Sequence, residues 1–149
     1  MELNEKFNII FYNRGVGGFI TDELGINDLS YPDIPIAQMI DHYDQILCQV
    51  KAALPDVKLY LMAYYPINYD AATEEMKPCL LVRTNQKIAE ANAAVKKLAE
   101  KHHVKYIDIN DPLKDENGNL KAEYTIEGMH IKEEGYRAIL PEFIRYAME

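Results

Sequence analysis

Apolar residues in this chain fall into two kinds of segment, short unbroken runs and longer stretches with three-to-four spacing. Residues 8–12 (NIIFY) form a β-branched and aromatic run closed by NRGVGG, which predicts a buried strand entering a glycine turn. After the proline-punctuated segment TDELGINDLSYPDIP, apolar side chains recur at Ile36, Met39, Ile40, Tyr43, Ile46, Leu47, Val50 and Leu54. That spacing predicts an amphipathic helix ending before Pro55. Residues 57–65 (VKLYLMAYY) are a continuous apolar run of strand length, which suits a strand buried on both faces. A polar stretch, NYDAATEEMKPC, precedes a second helix expected from about residue 81 to 102, with Ile88, Ala91, Val95, Leu98 and Ala99 on one side. Residues 104–109 (VKYIDI) predict another strand, DENG a turn, and residues 133–148 a closing helix.

The order is therefore βαβαβα, without repeats, linkers or low-complexity tracts. Strands alternating with helices call for a single α/β domain over residues 1–149, a three-layer α/β/α sandwich around a parallel sheet. In such sheets a ligand lies beyond the carboxyl ends of the strands, which here means the loops 13–21, 25–33, 66–70, 110–114 and 125–132.

Composition narrows the partners. Sixteen Lys and Arg against 24 Asp and Glu leave a net charge of −8, the wrong sign for a phosphate backbone or an anionic bilayer, so nucleic acid is not an expected partner. No apolar run approaches the roughly 20 residues of a membrane span. The first residues lack the basic start and apolar stretch of a secretory signal, which points to the cytoplasm. Cys48 and Cys79 show no CxxC pairing and no histidine at zinc-ligand spacing, so two buried thiols are expected and no metal or cofactor is implied. His42 falls on the polar face of its helix, and His102 and His103 end theirs, where a cation suits the dipole. The chain holds one serine, Ser30.

Three loops carry candidate chemistry. Gly15-Val16-Gly17-Gly18 after a strand invites a dinucleotide reading, but GxGxxG spacing would need glycine where Ile20 stands. A flavodoxin-like carrier would need clustered Ser and Thr after the first strand, and none is there. Gly25-Ile26-Asn27-Asp28 reads as a turn or N-cap. Glu127-Gly128-Met129-His130 places a histidine in a loop with a carboxylate three residues earlier.

In order along the chain, NRGVGGFIT, GIND and EGMHIKEEGY resemble three of the sequence blocks of the SGNH hydrolases, the GDSL-like lipase and esterase family. The resemblance runs from about residue 8 to the C-terminus and implies ester hydrolysis of a small molecule by a serine–histidine mechanism. It carries the oxyanion glycine over to Gly18, the oxyanion asparagine to Asn27 and the general base to His130. Donors aimed at the developing oxyanion are each worth roughly 10²- to 10³-fold in rate. A glycine lets the backbone approach closely, and a neutral amide donates without a charge to desolvate. The histidine takes the serine proton and returns it to the leaving alcohol. A carboxylate on its other nitrogen fixes the tautomer.

The chain departs from the family pattern in three places. The Gly-Asp-Ser block is absent, so no residue is named as nucleophile. Glu127 stands where the family has aspartate. Only eight residues separate Gly18 from Asn27, fewer than the roughly 10 to 12 of a crossover with its helix. The fold is accordingly expected to lack elements at the N-terminus and between Leu24 and Gly25, with those two residues not true neighbours. Tyr64, Tyr65 and Asn68, at the end of a strand, are expected to line the acyl or alcohol pocket. The alternative, from another functional class, is a non-catalytic binding or structural remnant of the same fold.

Overall fold

The computed structural model describes residues 25–56 and 59–147. The expected first strand, the glycine turn with Gly18, the junction at Leu24, the opening of the 57–65 run and the last two residues lie outside the described residues.

Helix α1 spans Ile36–Ala53 and buries Met39, Tyr43 and Leu47, each four residues from the next on one stripe. Strand β1 covers Tyr60–Met62 and strand β2 Lys105–Ile107; they pair in parallel, with Tyr60 opposite Lys105, Leu61 opposite Tyr106 and Met62 opposite Ile107. Between them run a short helix α2, Lys77–Val82, and a long helix α3, Asn85–His102. Helix α4, Glu133–Ala147, closes the described chain. Three single-turn 3-10 segments, Ile26–Ser30, Asp111–Leu113 and Ala122–Tyr124, shape the loops.

Side chains alternate across a strand, and here the alternation separates two cores. Leu61 and Tyr106, facing partners on one side of the sheet, pack with Met39, Tyr43, Leu47, Ile88, Val95 and Leu98 from α1 and α3. Met62 and Ile107 point the other way and pack with Leu113, Leu120, Ile131 and Ile139, the last from α4. Helices thus cover both faces of a parallel sheet, the α/β architecture that double-faced strands require. Each fully buried aliphatic side chain in these clusters contributes about 1.5–3 kcal/mol.

Strand β1 ends sooner than the apolar run predicts. Beyond Ala63, whose N–H still reaches Ile107 O at 2.9 Å, backbone groups are met by asparagine amides. Asn92 Oδ1 accepts from Tyr64 N at 2.7 Å while Asn92 Nδ2 and Asn110 Nδ2 donate to Tyr64 O. Asn85 does the same for Ile67, with Oδ1 accepting from its N–H at 2.8 Å and Nδ2 donating to its carbonyl at 2.9 Å. A side-chain amide carries the donor and acceptor of a peptide group, so these asparagines bond the backbone as a neighbouring strand would.

The single helix expected from residue 81 is two helices. Arg83 leaves helical geometry with ψ 73°, and Thr84, extended at ψ 157°, caps α3 by accepting from Lys87 N with its side chain. Leu80 and Ile88, eight residues apart, fall at helical spacing across this break and hide it. The two thiols also differ from expectation: Cys48 is exposed and Cys79 partly buried, both free. Cys48 lies on the outer side of α1, one position past the buried Leu47.

Candidate active site

The carboxyl end of β1 leads to Asn68, and the loop bearing His130 docks there. Asn68 N donates to Gly128 O at 2.7 Å, Asn68 Nδ2 donates to Leu120 O at 2.7 Å and Asn68 Oδ1 accepts from Ala71 N at 3.0 Å. Gly128 has φ +91°, and a Cβ there would lie 2.4 Å from Asn68 O, so glycine is required for both conformation and approach. The loop is closed by a bridge between Thr125 and Ile131. Thr125 Oγ1 donates to His130 O at 2.9 Å and accepts from Gly128 N at 2.9 Å, and Ile126 N also donates to His130 O.

Within that tight loop Glu127 and His130 meet. One carboxylate oxygen, Glu127 Oε1, takes the backbone N–H of His130 at 2.8 Å and lies 2.6 Å from its Nδ1. An ionised carboxylate only accepts, so Nδ1 is the donor in this contact, and in the neutral ring that tautomer puts the lone pair on Nε2. The Glu127 side chain is 14% exposed and the His130 ring 53%, a shielded carboxylate behind an accessible imidazole. The extra methylene of glutamate is absorbed by the bend of the loop.

Asn27 reaches the same region through a residue that the pattern of polar positions does not single out. Arg83, only 4% exposed, donates from Nη2 to Asn27 Oδ1 at 3.0 Å, from Nε to Ser30 Oγ at 2.8 Å, and from Nη1 towards Met129 Sδ at 2.8 Å. One guanidinium fork therefore joins the Asn27 turn to the residue beside His130. With its oxygen held, the Asn27 amide has only Nδ2 to offer elsewhere. No signal near Arg83 in the sequence marks it; Thr84, the N-cap of α3, marks only the break that follows α2.

Gly25 opens the Asn27 turn at φ +91°, so close to the core that a Cβ would sit 2.6 Å from Met39 Cγ and 3.4 Å from the Tyr64 hydroxyl. Tyr64 is 1% exposed, with its hydroxyl towards Met39 Sδ. Asn68, at 8% exposed, has its amide used by backbone groups. Both pack beneath the loops, and half-buried Tyr65 packs with the second core cluster. Ser30 Oγ, which also accepts from Cys79 Sγ at 3.1 Å, faces a cationic donor and not the imidazole of His130.

The model of the GDSL-like Lipase/Acylhydrolase family matches residues 7–138. The chain belongs to this family. Among relatives of the GDSL-like chain, the rice (Oryza sativa subsp. japonica) GDSL esterase/lipase WDL1 is 22% identical over 120 residues, covering 79% of this chain and 46% of the rice protein. A structure from Streptococcus pneumonia, described as a candidate platelet activating factor, aligns with TM-score 0.70 at 28% identity over 83% of this chain and 55% of its own. A GDSL-like lipase from Bacteroides thetaiotaomicron aligns with TM-score 0.61 at 20% identity over 78% of this chain and 54% of its own. The GDSL-like chain thus has the α/β fold of these hydrolases and spans about half the length of the relatives it matches. No helix among the described residues is long and apolar enough to cross a membrane.

Proposed function

We propose that this chain carries the base and oxyanion half of an ester hydrolase site acting on a small acyl or O-acetyl ester. The observation that supports this reading most is the Glu127–His130 pair, 2.6 Å from carboxylate to Nδ1 in a loop at the carboxyl end of the sheet, held by Arg83 to the Asn27 turn.

In this reading a serine hydroxyl, contributed from outside the given sequence, passes its proton to His130 Nε2 as its oxygen attacks the ester carbonyl carbon. The carbonyl oxygen takes the negative charge and receives hydrogen bonds from Gly18 N–H and Asn27 Nδ2. The tetrahedral intermediate collapses as His130 returns the proton to the leaving alcohol, and water then repeats the sequence on the acyl-enzyme. Glu127 stabilises the imidazolium formed in each half. Arg83 is a positioning residue for Asn27.

The test is a serine-directed fluorophosphonate probe together with hydrolysis of p-nitrophenyl acetate by the protein carrying a Gly-Asp-Ser block ahead of the first strand. Probe labelling and turnover that falls roughly 10²- to 10⁴-fold in His130→Ala are expected, the usual span for a general base. Turnover unaffected by that substitution would refute the reading. The engagement of Ser30, the chain's one serine, by Arg83 favours a second reading, a non-catalytic member of the fold. An unlabelled, inactive protein that folds with the block restored would favour it.

A further inference from the structure

On the side of the molecule formed by α1 and α3, a second histidine meets a carboxylate and a thiol. Asp44 and Cys48 are one helical turn apart on α1 and therefore share a face. His102 is the last residue of α3, and its ring, 9% exposed, turns back to place Nε2 against Asp44 Oδ1. One ligand atom from each of Asp44, Cys48 and His102 lies within 4.8 Å of the other two. Sequence spacing could not show this, because the histidine is supplied by a different helix from the cysteine.

We propose that Asp44, Cys48 and His102 form a binding site for a divalent transition-metal ion, with zinc(II) the best match to the donor set. An ion pair between His102 and Asp44 needs no thiol, yet Cys48 brings a sulfur donor to the same point. Oxygen, nitrogen and sulfur together suit zinc, and a single carboxylate beside a thiol does not suit calcium or magnesium, which take oxygen ligands. At metal–ligand distances of about 2.0–2.3 Å a tetrahedral site holds its donors roughly 3.3–3.8 Å apart, so the thiol must close in by up to about 1 Å while Asp44 Oδ1 and His102 Nε2, now in direct contact, part to admit the ion. Cys48 is exposed on its helix and can supply that movement by rotation about χ1.

The surroundings allow the exchange. Lys101 Nζ holds the other carboxylate oxygen, Asp44 Oδ2, at 2.6 Å, so Oδ1 can pass to the metal without breaking that contact. Lys51 Nζ donates to His102 O at 2.8 Å and fixes the end of α3 against α1. Binding displaces a proton from the thiol and leaves His102 neutral with Nε2 on the metal. Asp44 and the thiolate balance the ion's two positive charges. Three protein ligands leave a fourth position for water, and the bound ion would pin the last turn of α3 to α1.

This inference is independent of the ester-hydrolase reading and is tested without turnover. The full chain, stripped with a chelator and kept reduced, is titrated with cobalt(II) as the spectroscopic probe and with zinc(II) in competition against a chromophoric chelator. Expected are one equivalent bound, a cobalt–thiolate charge-transfer band abolished in Cys48→Ser, and a higher thermal midpoint with zinc. Cys48→Ser and His102→Gln should each weaken zinc binding by at least about tenfold, since losses beyond the direct ligands already cost roughly 10- to 100-fold. Should His102→Gln fail to fold, the exposed Cys48→Ser decides alone. Absence of the thiolate band, or zinc affinity unchanged in Cys48→Ser, overturns the proposal.

Discussion

Arg83 holds Asn27 by the oxygen of its amide, Nη2 to Oδ1 at 3.0 Å, which under the proposed function leaves the nitrogen end as the oxyanion donor. The fork of a guanidinium fixes direction as well as distance, and lysine cannot reproduce it. In the protein carrying the Gly-Asp-Ser block, Arg83→Lys should therefore lower kcat for p-nitrophenyl acetate, by up to the roughly 10²-fold of a misdirected oxyanion donor, with KM little changed. An unaltered kcat in a folded variant would show that Asn27 is oriented by something else. A purely structural role would lower the thermal midpoint without dividing kcat from KM.

Glu127→Gln removes the charge but keeps the length. The carboxylate accepts from both Nδ1 and the backbone N–H of His130, and a neutral amide neither stabilises the imidazolium nor dictates its tautomer. In the protein carrying the Gly-Asp-Ser block a fall in kcat of roughly 10²-fold is expected. A rate equal to that of the parent would make the carboxylate dispensable.

Two glycines with the same backbone hand should respond differently to alanine. Gly118, at φ +80°, has nothing within 4 Å of a built Cβ, so Gly118→Ala should cost only the left-handed penalty of about 1–2 kcal/mol. Gly128→Ala also drives a Cβ into Asn68 O, and should cost more and displace the His130 loop. Denaturant unfolding of the two variants checks the order, and equal losses would contradict it.

Thr84 caps α3 through its side-chain contact to Lys87 N at 3.1 Å. Thr84→Ala should lower unfolding free energy by about 1 kcal/mol, and Thr84→Ser should recover most of it. Equal stability of the alanine and serine variants would deny the cap any part in holding the break between α2 and α3.

Burial, with Asp108 adding a smaller repulsion, raises the Tyr106 phenol to about 12. The unfolded phenol ionises near its ordinary value of 10.0, so the folded form binds the proton more tightly. Its contribution is complete below pH about 10 and is lost as pH rises towards about 12. Comparing unfolding of the parent and Tyr106→Phe across that window should show the parent losing stability faster. Parallel curves would show that the phenol titrates normally.

Local periodicity made α1, α4 and the two parallel strands readable, because their apolar residues face cores at helical or strand spacing. The loops around Asn27 and His130 stood out for the same local reason, short motifs at fixed offsets. Arg83 was not, because nothing near it in the chain distinguishes a buried guanidinium from a solvated one. Its meaning depends on Asn27, Ser30 and Met129, all distant in sequence. The early end of β1 was hidden likewise, since the asparagines that replace its ladder come from α3 and from the loop after β2. Cys48 and His102 meet across two helices, and no spacing rule spans that distance.

Asn68 uses three of its bonding groups in three places: its N–H on Gly128, its amide nitrogen on Leu120 and its amide oxygen on Ala71 of its own loop. Aspartate would lose the donor to Leu120, and glutamine would place both amide atoms a methylene too far out. Position 68 can therefore drift only if the backbones at 120 and 128 drift with it. Among diverging descendants of this chain asparagine at 68 and glycine at 128 should be retained together, because the partners they meet are backbone atoms that no change of side chain can adjust.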